Sequence, residues 1–243
     1  PIREEFRDYD LWPEIAPPAF SQFGGTVSEG YPLLITNENA TLYYTTDGTD
    51  PRLPGGTPNP DAISQSGGLQ DEVLVEEGSS WNHNATEGDL GVAWRLLNYD
   101  DGLWESGPAP LGYGGISSGG VTVQIATEVN SSRPRQPTSY FRKIFEIDDP
   151  AAYLSLEAKL LVDGGIVIFV NGVEAFRGSN IPSPSEYSST PTSDTDDGNE
   201  SDYRAYPIDP ALLISGSNII AIELHNSTGN SDMALDGGLR GKR

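Results

Sequence analysis

The clearest pattern along the chain is alternation. Over residues 153–162, Leu154, Leu156, Ala158, Leu160 and Val162 alternate with Ser155, Glu157 and Lys159, the period of two shown by a strand with one buried face. Runs of similar character predict further strands at 121–129, 140–147, 165–170, 173–177 and 218–225. Between 165–170 and 173–177 stands Asn171-Gly172, the preferred pair for a two-residue type I′ turn because both central positions need positive φ. In 218–225, Ile220, Ile222 and Leu224 fall on one face, and Ala221, Glu223 and His225 on the other. That register sets a carboxylate beside an imidazole on a surface expected to lie outside the core. The longest apolar run, Ile166 to Val170, is strand-sized and far short of a membrane span.

Upstream the pattern is weaker. Residues 1–18 carry Glu4, Glu5, Asp8 and Asp10 together with Pro13, Pro17 and Pro18, and read as a connector. Residues 19–63 alternate short apolar runs with turn chemistry and read as a small β unit. Residues 52–70 are rich in Pro and Gly and form a long loop or linker, so the main domain begins near 71. With 28 Gly and 19 Pro in 243 residues, long helices are disfavoured. About eight strands, long polar loops and no helical stretch indicate an all-β protein, a β-sandwich of jelly-roll type.

Composition then narrows the function. A net charge of −22, from 36 acidic and 14 basic residues, is opposite to the electrostatic footprint of a nucleic-acid binder. The absence of cysteine removes disulfides, thiolate catalysis and thiolate metal sites. The chain begins at Pro1 without an initiator Met, the expected start of a processed product or of a piece of a longer polypeptide. High acidity, abundant small polar residues and few sulfur atoms suit a secreted bacterial module.

Two stretches carry a family resemblance. Leu42-Tyr43-Tyr44-Thr45-Thr46-Asp47-Gly48-Thr49-Asp50-Pro51-Arg52 resembles the hairpin of the Ig-like domain at the C-terminus of chitobiase and β-hexosaminidase-type proteins. The resemblance implies that 19–70 is a short Ig-like unit. The second set runs in order through Trp94-Arg95, Tyr99 to Trp104, Gly107 to Gly114, Tyr140 to Lys143, Leu161 to Gly165, Val170 to Glu174 and Asn218 to His225. Together these look like the galactose-binding-like jelly-roll modules of large secreted bacterial proteins. Related sequences read Asp-Asp-Gly where this chain has Asp163-Gly164-Gly165. The resemblance implies a carbohydrate-related, frequently calcium-stabilised module over 71–243, at the cell surface or outside it.

Catalytic raw material is thin. Gly115-Ile116-Ser117-Ser118-Gly119 fits the G-x-S-x-G pattern but lacks the helix that a nucleophile elbow needs. His83 and His225 are the only histidines, and Glu223 with His225 two residues apart is more in keeping with a hydrogen-bonded pair than an acid–base dyad. Sugar recognition needs a flat ring and a few convergent polar groups. Trp81, Trp94, Trp104, Tyr113 and Tyr140 supply rings, and Arg142, Asn171, Glu223 and His225 supply polar partners. Packing is the competing role for the rings, and the turn for Asn171. Arg133, Arg135, Arg142 and Lys143 cluster in an otherwise acidic chain. Arginine forks there suit the carboxylate or sulfate of an anionic polysaccharide, with internal ion pairing as the alternative.

Asp194, Asp196, Asp197 and Glu200 crowd one segment, a supply of oxygens suited to calcium, although its Gly198 is one place early for an EF-hand loop. Asp100 and Asp101 form a second candidate. The sequence therefore reads as a non-catalytic carbohydrate-binding module of a secreted or cell-surface protein. Its partners would be a polysaccharide or surface glycan and the neighbouring domains of one polypeptide, with calcium as candidate ion. The alternative is a calcium-stiffened spacer or fibre subunit that binds no sugar.

Overall fold

A computed structural model describes residues 17–20, 22, 24–26, 35–37, 40–65, 70–118, 121–193, 201–227 and 232–243. The chain divides into two compact units, Pro1–Gln70 and Asp71–Arg243. In the first, β1 (Ala19–Phe20) pairs with β2 (Ile35–Thr36), and β3 (Leu42–Tyr44) pairs with β4 (Ile63–Gln65), both antiparallel. The turn after β3 is fixed by its own side chains. Asp47 Oδ1 accepts from the Thr49 amide at 3.0 Å and the Thr49 hydroxyl at 2.7 Å, and Asp50 Oδ1 accepts from the Arg52 amide at 2.9 Å. These hydrogen bonds favour the charged carboxylates and hold both below the ordinary Asp range.

The second unit is a β-sandwich. One sheet contains β5 (Asp71–Val75), β8 (Leu111–Tyr113), β11 (Thr127–Glu128), β13 (Ser155–Asp163), β16 (Arg204–Ile208) and β18 (Met233–Lys242). Its order is β11-β8-β18-β13-β16, with β5 also pairing to β18. The other contains β6 (Ser80–Asn84), β7 (Glu105–Pro108), β12 (Thr138–Ile147), β14 (Gly165–Val170), β15 (Val173–Arg177) and β17 (Gly216–His225), ordered β15-β14-β17-β12-β6-β7. From β12 to β18 the chain changes sheet at every step except β14 to β15, as a jelly roll requires. A ribbon of β9 (Ile116–Ser118) and β10 (Val121–Val123) stands apart from both. Helical structure among the described residues is limited to three 3₁₀ turns, and none is long and apolar enough to cross a membrane.

The predicted alternation in 153–162 is realised. Leu156, Ala158, Leu160 and Val162 enter the core between the sheets with Ile220, Ile222 and Leu224. Leu154 is the exception: it precedes the strand and is 37% exposed. The expected strand 121–129 is broken into β10 and β11 by a bend at 124–126. β18 has no counterpart among the predicted strands, because Gly237, Gly238 and Gly241 interrupt its apolar pattern. Those glycines are required by close approach. A Cβ on Gly237 would meet the carbonyl oxygen of Lys159 on one neighbouring strand, and one on Gly238 that of Val75 on the other.

The sandwich has apolar residues outside its core as well. On the first sheet, Ile116, Leu161 and Ala234 form a small cluster with Val123 and Ile125. On the second, Val167, Phe169, Ile219, Ala221 and Tyr140 face away from the core and are nevertheless buried. β14 is thus buried on both faces, which accounts for its continuous apolar run.

The β14–β15 hairpin turns at Asn171 (φ 51°) and Gly172 (φ 85°), as the type I′ expectation requires. Asn171 also donates to Leu212 O at 2.8 Å and accepts from the Ile219 amide at 3.1 Å, so its side chain is committed to the fold. Replacing Gly172 with Val introduces a branched Cβ at positive φ, close to Leu96 Cδ2. The expected cost is about 1–2 kcal/mol, read from urea unfolding; an unchanged midpoint would contradict the turn assignment.

Candidate functional site

Two long loops cover the outer face of the second sheet. The first, 85–104, carries the 3₁₀ turn Ala93–Arg95; the second is 178–193. Trp94 is 0% exposed and fills the space beneath the first loop. Its ring centroid lies 4.8 Å from Tyr140, 6.0 Å from Phe169 and 6.5 Å from Trp104. A ring that must reach from a loop to a sheet is held in place by such contacts, tilted on Tyr140, edge-on to Phe169 and stacked on Trp104.

Arg142 fastens the far end of that loop. Its guanidinium donates to Leu96 O at 2.8 Å and Tyr99 O at 3.4 Å and pairs with the Asp101 carboxylate. Asp101 Oδ2 also accepts from Asn82 Nδ2 at 3.2 Å. At 1% exposure, Arg142 is a clamp and does not offer its fork to an external anion, which corrects its expected role. The remaining basic residues of that stretch are also largely engaged. The Arg135 guanidinium sits 3.7 Å over the Tyr113 ring, and Lys143 Nζ donates to Ser80 O at 2.7 Å.

Glu223 and His225 require the second correction, since the face they occupy is roofed. Glu223 is 6% and His225 0% exposed. Glu223 Oε1 accepts from Arg95 Nη2 at 2.7 Å, while Oε2 lies 3.3 Å from His225 Nε2 and 3.5 Å from the donating Ser185 hydroxyl. The Thr138 hydroxyl gives its one proton to Tyr187 O at 2.6 Å. His225 Nδ1 faces Thr138 Oγ1 at 3.0 Å and Ser189 O at 3.1 Å. A carbonyl only accepts, so the ring donates from Nδ1 and ties 187–189 to β17. This arrangement crosslinks both loops to the sheet.

Burial pushes the Glu223 carboxyl up, but the His225 hydrogen bond and the Arg95 guanidinium outweigh it, and the net position is below the usual 4.5. A depressed carboxyl contributes stability that is present above the unfolded value and lost as pH falls through the folded one.

Where the two loops meet, a cleft of about 480 Å³ opens beside Tyr140, lined by Asp89, Arg95, Ser185, Glu186, Tyr187 and Glu223 among others. The Arg95 guanidinium lies 3.9 Å over the Phe169 ring. Of the sequence-predicted residues, Tyr140 and Glu223 line this cleft, with Trp94 and His225 immediately behind its wall. A second cleft of about 400 Å³ lies at the stem of the 85–104 loop and includes Trp104, Leu103 and His83. Tyr113 belongs to neither. It packs in the core, and its phenol donates to Asn226 Oδ1 at 2.8 Å. Trp81 is likewise a core residue. Arg95, Asp89, Ser185 and Tyr187 were not singled out by the sequence. Arg95 alone had a signal, its place beside Trp94.

Of the calcium candidates, Asp101 is committed to Arg142, and Asp100 Oδ1 accepts the Gly102 amide at 3.0 Å in a local turn. Asp194, Asp196, Asp197 and Glu200 lie outside the described residues. Among the described residues no group of three His, Asp or Glu side chains is placed to hold a metal ion. Gly115-Ile116-Ser117 leads into the β9–β10 ribbon, not a strand-to-helix turn.

The fold and its loops define a β-sandwich with a roofed face and two surface clefts. No family model matches the chain, and comparison with curated proteins gives no match. Among solved structures it is similar to a β-glucuronidase from glycoside hydrolase family 2 (13% identity, 71% of this chain and 18% of that one, TM-score 0.45). It is also similar to Bacteroides uniformis β-glucuronidase (12%, 71% and 18%, 0.44) and a β-glycosidase from Bacteroides vulgatus (16%, 70% and 20%, 0.41). The matched region spans about a fifth of the length of those enzymes.

Two outcomes follow from the clamps. Arg142→Met strands Asp101 and two loop carbonyls, and is expected to cost about 3 kcal/mol in denaturant unfolding, with Trp fluorescence reporting a loosened 85–104 loop. A loss below about 0.5 kcal/mol would refute the clamp. In the wild type, acidification below the usual 4.5 loosens the roof as Glu223 protonates. Glu223→Gln should be weaker at neutral pH by about 1–3 kcal/mol yet lose less on acidification. Parallel acid profiles for the two proteins would rule this out.

Proposed function

We propose that residues 71–243 are a non-catalytic carbohydrate-binding module, with its site in the cleft between the 85–104 and 178–193 loops. The observation that carries this reading is the convergence of the Tyr187 ring and the phenol edge of Tyr140 with Arg95, Glu223 and Ser185 in one open cleft of about 480 Å³. An aromatic wall with a few fixed polar groups is what a pyranose requires. The lining is held rigid by the Arg95–Glu223 and Thr138–Tyr187 bonds, which lowers the ordering cost of binding. In this reading 1–18 is a linker, 19–70 a short Ig-like unit, and the module tethers a secreted or cell-surface parent protein to a polysaccharide or surface glycan. Calcium belongs to the proposal through the 194–200 segment alone.

A second reading is favoured by one observation. Trp94 and Tyr140, expected as exposed platforms if sugar is stacked on the sheet, are 0% and 3% exposed. Such burial suits a structural spacer.

Affinity electrophoresis against a polysaccharide panel, with and without a calcium chelator, tests both. The wild-type chain should be retarded by at least one polysaccharide, and Ser185→Trp, which fills the cleft from an outer loop, should abolish the retardation. Retardation by none supports the spacer. Loss on chelation, with a fall in melting temperature, would support the calcium element, and its absence would remove it.

A further inference from the structure

The two clefts adjoin. Tyr187, which lines the first, donates its phenol proton to the side-chain oxygen of Gln136, which lines the second. Their net charge is negative. The first presents Asp89, Glu186 and Glu223 against Arg95 alone, and that arginine is spent on Glu223. The second presents Glu87, Glu105 and Glu128 with no Lys or Arg in its lining. Burial raises the Tyr140 phenol against the Leu90 amide hydrogen bond, and Glu223 and Asp89 push it further; burial and then Asp89 raise Tyr187.

His83 is an independent sign of a ligand. It is 4% exposed, lines the second cleft, and no described residue hydrogen-bonds its ring nitrogens. Burial holds it below the usual 6.5 against the pull of Glu105, so the ring is neutral near pH 7 and offers one donor and one acceptor. Trp104 adds a half-buried indole to the same wall.

Building on the carbohydrate-binding reading, we propose that the adjoining clefts form one track for an amino-sugar chain, with protonated amines meeting the carboxylates and hydroxyls meeting His83. Asp89 and Glu186 stand on opposite loops flanking Tyr140, and Glu105 and Glu128 flank the mouth beside Trp104. Ammonium groups near an aromatic face gain from the ring as well as from the carboxylates. Uronic or sulfated polymers are repelled by the same groups.

The test uses the full chain with glucosamine hexamer, N-acetylglucosamine hexamer and a galacturonic acid hexamer in titration calorimetry at low salt. The free-amine hexamer should bind about tenfold tighter than its acetylated counterpart, and the uronate should not bind. Asp89→Asn/Glu186→Gln and Glu105→Gln/Glu128→Gln each alter exposed side chains. Each should reduce the free-amine affinity several-fold and leave the acetylated one unchanged. Glu146→Gln/Asp148→Asn, which lines neither cleft, should change nothing. An equal loss in that control, insensitivity of both cleft variants, or equal or better binding of acetylated or acidic chains would overturn the amino-sugar track while leaving carbohydrate binding intact. No binding of these hexamers or of any polysaccharide in the panel would overturn both.

Discussion

A strand that is apolar on both faces has to be covered twice, and the rest of this molecule follows from that need. β14 contributes Ile166, Ile168 and Val170 to the interior and Val167 and Phe169 to the outside of the sandwich. Its neighbours extend the outer patch with Ile219, Ala221 and Tyr140. Full burial of each such side chain is worth about 1.5–3 kcal/mol, one part of what offsets the entropy lost in ordering two long loops against the sheet. Trp94 supplies the apolar part of the roof. Loops also bring backbone polar groups that must be satisfied, and Arg142, Thr138 and His225 answer the carbonyls of Leu96, Tyr99, Tyr187 and Ser189. The buried charges beneath the roof are therefore explained by the roof itself.

What could be read from sequence was local. The inner faces of β13 and β17 and the Asn171-Gly172 turn are set by period and by φ, and both are visible in a string of letters. β18 was hidden because its glycines answer to the carbonyls of Lys159 and Val75, which are 78 and 163 positions away in the case of Gly237 and Gly238. The candidate site was half legible for a related reason. Alternation correctly placed Glu223 and His225 on the face away from the core, but nothing local says that residues 85–104 and 178–193 fold over that face. The same blindness turned Arg142 from a clamp into an apparent anion receptor. Asp101, its partner, sits 41 positions upstream.

The acidity of the chain also takes on a different meaning in three dimensions. Expressed as −22 over the whole sequence, it speaks for solubility and against nucleic acid. Resolved by position, Arg142 turns inward beneath the loop and Arg135 stacks on Tyr113, while Arg133, Lys242 and Arg243 stay exposed. The carboxylates Asp89, Glu105, Glu128 and Glu186 stay exposed around the clefts. Around the two clefts the exposed carboxylates outnumber the cations in the lining.

That division links the mechanical and binding readings of the roof. The residues that bury Trp94 and anchor the loops are the ones that fix the cleft walls: Arg95 stacks on Phe169 while pairing with Glu223, and Thr138 holds the Tyr187 backbone from beneath. Burial of the aromatic cluster leaves the phenol edge of Tyr140 as the part that reaches the cleft, its oxygen 3.5 Å from the Leu90 amide. A site built this way gains rigidity from the same contacts that stabilise the domain. Its tolerance to change is therefore lowest at the clamps and highest at the exposed carboxylates.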